Sequence, residues 1–105
     1  MSRYGDKSPT DTYPMRTLRV GDVLTPTSMD NAVTILACWL MRASDVDAYA
    51  IWTVLCHLPH NARHPFAVWT AIDRPEGWSF GYGDYCENIG EGVARYEGRG
   101  GRYSL

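Results

Sequence analysis

Long apolar runs are missing from this chain of 105 residues, and with them any candidate membrane-spanning segment. Met1 to Met15 is polar and carries Pro9 and Pro14, so it holds no apolar core of a signal peptide. Cysteine is scarce. Cys38, Cys56 and Cys86 are an odd number without a Cys-x-x-Cys spacing, which excludes a complete disulfide framework within one chain. These absences fit a soluble protein of a reducing compartment with free thiols. An excess of one charge is also lacking. Net charge is −2, which argues against a protein built to coat nucleic acid. There is no Gly-rich phosphate loop, nucleophile elbow, Asp-rich calcium loop or internal repeat. No motif specifies a reaction, and no cofactor is expected.

What is present is apolar and aromatic. Apolar residues make up 45%, and the chain has four Trp and seven Tyr. Such side chains bury large areas and favour strands. The length suits one domain with one core. Residues 1–14 read as a flexible N-terminal tail of turn-formers, on which Tyr4 and Tyr13 are possible docking points. Residues 15–98 read as a single α+β domain, and residues 99–105 as a short, basic, flexible tail.

Within the domain, Leu18–Leu24 reads as a first strand interrupted at Gly21-Asp22 by a turn or bulge. Val33 to Met41 alternates, with Val33, Ile35, Ala37, Trp39 and Met41 on one face. Ala48 to Leu58 alternates likewise, and Arg42–Asp47 would connect the two. A helical reading competes. Ser44-x-x-Asp47 fits a capping box before Ala48, and Ser28 or Asp30 would cap Asn31 to Arg42. The β-branched and aromatic content favours strands. Phe66 to Ile72 reads as a fourth strand, and Asp73 to Gly77 as its turn. Trp78 to Tyr82 reads as a fifth, with Trp78, Phe80 and Tyr82 on one face opposite Ser79, Gly81 and Gly83.

A helix closes the domain. Asn88 is its N-cap, Glu91 supports the cap, Ile89, Val93 and Tyr96 form an apolar stripe, and Gly98 is the stop. The expected architecture is a curved antiparallel sheet or small barrel of about five strands with one C-terminal helix. Its expected core contains Val20, Val23, Ile35, Trp39, Ile51, Val54, Phe66, Val68, Ile72, Phe80, Ile89 and Val93.

Three constellations bear on chemistry. Cys56, His57, His60 and His64 lie within nine residues and are the right types for zinc. They come from one strand end and one loop, and Cys56 and His57 would face opposite sides of a strand, so no metal is expected. Cys56 beside His57, or Cys86 near the helix N-terminus, offers a thiol for nucleophilic catalysis, without a recognisable signature. Arg3, Lys7, Arg16 and Arg19, with Arg95, Arg99 and Arg102, make basic ends that would suit nucleic acid. The aromatics, however, alternate with apolar residues as in a core. Asp45 and Asp47 read as a solvated turn rather than an acid–base pair.

The residues Pro65-Phe66-x-Val68-Trp69, Gly81-x-x-x-Tyr85, Val93-Ala94-x-Tyr96 and Arg99 form a pattern. It resembles that of small proteins encoded by actinobacterial phages and prophages, and Val20-Gly21-Asp22-Val23 fits the opening of such chains. The chain departs from the pattern at Tyr82-Gly83-Asp84-Tyr85, which lacks a His, and at Gly92, where a larger residue is usual. Such proteins generally lack an assigned activity, so the resemblance implies no catalytic residues. It does imply a phage-encoded accessory factor working in the cytoplasm of a bacterial host. The leading expectation is therefore a non-enzymatic protein that binds a host or phage protein, with a homodimer as a further possibility. Its expected contact residues are Trp52, Trp78, Tyr82 and Tyr85. A nucleic-acid-associated protein comes second, and a Cys/His metal protein or enzyme third.

Overall fold

The computed structural model describes residues 16–44 and 49–103. Five antiparallel strands form one sheet in sequence order, curled into a half-barrel, and a single helix follows. The strands are β1 (Val23–Leu24), β2 (Val33–Arg42), β3 (Ile51–His57), β4 (Phe66–Arg74) and β5 (Gly77–Cys86); the helix is α1 (Ile89–Gly98). The α+β architecture is the one the sequence implies, and the strand reading of Val33–Arg42 and Ile51–His57 holds over the helical one. The connection between β2 and β3 includes residues 45–48, so Asp45, Asp47 and the Ser44–Asp47 box lie outside the described residues. So do residues 1–15, with Arg3, Tyr4, Lys7 and Tyr13.

Both faces of the sheet are apolar, and each is covered differently. The concave face carries Trp52, Val54 and Cys56 from β3, Ala67, Trp69 and Ala71 from β4, and Phe80 from β5. The segment before β1 crosses this concavity, and its Leu18 is buried there. The convex face carries Leu55 and Val68, on which α1 lays Tyr96 and Val93. A bulge in β2 between Ile35 and Ala37 exchanges its faces. Val33 and Ile35 therefore join the concave core, while Ala37 and Trp39 join the convex one. The single face expected for all of them is corrected by that inserted residue.

The core differs from expectation in a second way. Ile35, Val54, Val68 and Phe80 are buried as expected. Val20, Val23 and Ile89 are exposed, because the first strand shrinks to two edge residues after a turn at Val20-Gly21, and Ile89 lies on the outer side of α1. Trp39, Ile51, Phe66, Ile72 and Val93 are half-buried. Gly92 and Tyr96, one turn apart, face the sheet; a Cβ at Gly92 would stand 2.9 Å from Leu55 Cδ1. The line of closest approach therefore runs through Gly92, which rotates the expected stripe away from Ile89.

The helix starts where the sequence places it. Asn88 Oδ1 accepts from the Glu91 N–H at 2.8 Å, and Glu91 Oε1 accepts from the Glu87 N–H at 3.0 Å. It ends later than Gly98. Arg99 is the C-cap, and Gly100 takes the left-handed conformation at φ 88°. The Gly100 N–H donates to Glu97 O and the Gly101 N–H to Tyr96 O, both at 3.0 Å, which is the Schellman arrangement. Residues 99–103, expected as the start of a flexible tail, fold back over Tyr96. Tyr103 lies 5.3 Å from the Tyr96 ring, and the Tyr96 hydroxyl donates to Arg102 O at 2.6 Å.

Candidate functional site

The fifth strand continues past Tyr82 to Cys86, and the irregularity that permits this builds the site. Opposite β4, the pairing shifts between Val68 and Thr70. Trp69 thus faces a bulge made by Tyr82 and Gly83. Gly83 has no side chain, and the Trp69 indole occupies that space: a Cβ there would stand 2.8 Å from Trp69 Cδ1. The bulge turns Tyr82 to φ 56°, the one positive φ outside glycine among the described residues. Such a conformation costs on the order of 1–3 kcal/mol and persists only where neighbours hold it. Arg99, at the helix C-cap, is that neighbour. It donates to Tyr82 O, and its Nη2 lies 2.8 Å from Asp84 Oδ2. Arg95 reaches the other Asp84 oxygen at 3.4 Å.

The result is a tyrosine held with its side chain in solvent. Tyr82 is 84% exposed. Alternation would have put it beside Trp78 and Phe80, and the bulge corrects that expectation. Three residues on, half-exposed Tyr85 stands edge-on to Trp69 at 5.5 Å and to His64 at 6.4 Å. Beside Tyr85 opens a cleft of about 390 Å³, bounded by the loop after β3 and by the residues preceding β2.

The other expected contact residues lie elsewhere. Trp52 is only 6% exposed, inside the half-barrel, and meets Trp78 edge-on at 6.5 Å. Half-buried Trp78 has the Arg16 guanidinium 5.3 Å from its ring. These two tryptophans close one end of the core, so the expectation that Trp52 meets a partner is corrected by its packing. Trp52 Nε1 has no hydrogen-bond partner among the described residues.

The Cys/His cluster does not assemble. Cys56 points into the concave core, and its thiol is pushed up by burial, with Cys38 adding to the shift. His57 lies on the opposite face against Phe66 at 5.6 Å, and His64 lies against Tyr85. His60 lines the cleft. Among the described residues no three His, Cys, Asp or Glu side chains converge as a metal site. Cys86 is buried, and burial, with Glu91 beside it, holds its thiol above the ordinary range despite the helix N-terminus. The basic ends are also engaged. Arg16 pairs with Asp73, and Arg95 and Arg99 with Asp84.

Arg99, Asp84, Asn61 and Arg63 were not picked out as site residues from the sequence. The signal was Gly81-Tyr82-Gly83, an aromatic between two glycines inside an alternating strand. Among the described residues no helix is long and apolar enough to cross a membrane. Comparison with protein-family models, with curated proteins and with solved structures gives no match to this chain.

Proposed function

We propose that the chain is a non-enzymatic protein-binding accessory factor, phage-encoded, that docks on a host or phage protein through the bulged end of β5. The observation that carries this reading is Tyr82. A bulky residue in a strained conformation, braced by a cation from another element, presents its ring to solvent instead of packing it. Tyrosine is a favoured anchor at interfaces, because it offers a large rigid surface at low entropy cost. Tyr85 extends the same surface.

Pairing of a partner strand along β5 is disfavoured. The Trp78 carbonyl already accepts from the Thr27 N–H at 2.9 Å, Arg99 occupies the Tyr82 carbonyl, and the bulge interrupts the strand. Docking through side chains fits this edge better. A nucleic-acid role is weakened by the internal pairing of Arg16, Arg95 and Arg99. Catalysis by thiolate is weakened by burial of Cys56 and Cys86.

Affinity capture from actinobacterial lysate, with and without nuclease, tests the proposal. A protein retained after nuclease and lost with Tyr82→Ala supports it. Loss of every partner after nuclease favours nucleic acid instead, and capture unchanged by Tyr82→Ala removes Tyr82 from the interface. Sedimentation at micromolar concentration separates a foreign partner from a second copy.

A further inference from the structure

The cleft beside Tyr85 combines two chemistries. Its buried surface is apolar, made by Val33 and Leu58 with half-buried Met29. Its outer part carries donors. Arg63 is exposed, and no carboxylate pairs with it among the described residues. Asn61 Oδ1 accepts from the His64 N–H at 2.9 Å, which fixes the side chain and leaves its NH2 group without a protein partner among the described residues. No lining residue is acidic, although the chain as a whole carries net charge −2. The volume, about 390 Å³, lies near the lower end of the range for small-ligand sites, about 300–1,000 Å³. It suits the tip of a chain and not a whole strand or helix.

We infer that this cleft receives the C-terminal carboxylate and last apolar side chain of the partner protein; the inference rests on the protein-binding reading above. A carboxylate is acceptor-only and takes donors from a guanidinium and an amide together. An acidic side chain would bring the anion without an apolar group. A chain terminus brings both from one residue, matching a cation and an amide set over an apolar floor. End-on entry also agrees with the obstructed edge of β5, along which a partner strand cannot run freely. Tyr82 and Tyr85 would then hold the surface of the partner that surrounds its terminus.

The test uses the full chain, labelled for amide NMR and titrated with N-acetyl-alanyl-leucine as free acid, with the same dipeptide as C-terminal amide, and with acetate. The free acid should shift the backbone amides of Asn61, Ala62, Arg63 and Tyr85. The amide form and acetate should each bind at least about tenfold more weakly, as should the free acid to Arg63→Gln. Arg63 is exposed, so that variant should keep the wild-type spectrum elsewhere. Equal binding of acid and amide, acetate as effective as the dipeptide, or shifts outside the cleft would overturn the inference. A captured partner that needs Tyr82 but binds Arg63→Gln fully would overturn it too, while leaving the binding function standing. Dipeptide binding with no partner dependent on Tyr82 would instead fail the function and leave the cleft as a carboxylate site.

Discussion

The Trp69 indole lies across Gly83, on the neighbouring strand, and fills the volume a side chain there would need. That contact joins the concave core to the site, because Trp69 also packs on Phe80 at 5.4 Å and edge-on to Tyr85 at 5.5 Å. Gly83→Ala should therefore act on both. Its Cβ would stand 2.8 Å from Trp69 Cδ1, so the ring must move within a packed core. Overpacking of this kind costs about 1–3 kcal/mol. Chemical denaturation should show that loss, with a change in tryptophan emission before unfolding. Unaltered stability would mean that the indole is not seated on Gly83.

Arg99 should matter more to Tyr82 than to the fold. Its contacts with Asp84 and the Tyr82 carbonyl are partly exposed, and such pairs contribute about 0–1 kcal/mol. Arg99→Ala should shift the denaturation midpoint little. It should also release the brace on a strained residue, so the Tyr82 amide should exchange with solvent faster than in the parent protein. Hydrogen exchange by NMR reads this directly. Unchanged exchange at Tyr82 would show that the bulge holds itself.

The architecture was legible because its signals are local. β-branched and aromatic alternation marks β2 to β5, and Asn88 with Glu91 marks the helix start. The site was only half legible. Tyr82 and Tyr85 stood out as aromatics with bare neighbours, but so did Trp52 and Trp78, and burial separates the pairs. Periodicity cannot tell an aromatic inside a half-barrel from one outside it, since both alternate. It also assumes a constant period of two. One extra residue in β2 and another in β5 exchanged the faces of everything beyond them. Arg99 could not be linked to Tyr82 in advance, because 17 residues and the packing of α1 intervene.

Asp73 provides a sharper stability test. It is 1% exposed, and Arg16 binds it with its backbone N–H at 2.8 Å and its Nε at 2.7 Å. This pair ties the segment crossing the concavity to β4. Arg16→Ala keeps the backbone bond and removes the countercharge, leaving a buried carboxylate incompletely compensated. Removing one partner of a buried pair costs about 3–5 kcal/mol; with Arg16 half-exposed the effect should be smaller, about 2–3 kcal/mol. The loss should shrink in the double variant Arg16→Ala with Asp73→Asn, where no buried charge is left. Equal loss in both would mean that packing of the Arg16 stem on Trp78, not charge, is what matters.

Tyr96 sets the behaviour in alkali. Its ring is fully buried between the sheet and the returning residues 99–103, and burial raises the phenol above its ordinary range. The folded state therefore holds the proton more tightly than the unfolded state does. The resulting stability is fully present below the unfolded phenol's pKa, about 10, and is lost as pH rises beyond it toward the folded value. The slope from this one proton approaches about 1.4 kcal/mol per pH unit. The Cys56 thiol, also raised by burial, contributes a decline of the same sign that begins lower, near about pH 8.5. Tyr96→Phe separates the two. At neutral pH it should cost about 1 kcal/mol for the bond to Arg102 O, including the carbonyl left unpaired. Above about pH 10 it should lose stability less steeply than the parent, so the two denaturation curves should converge and then cross. Parallel declines across that range would show that the Tyr96 proton is held no more tightly in the folded protein.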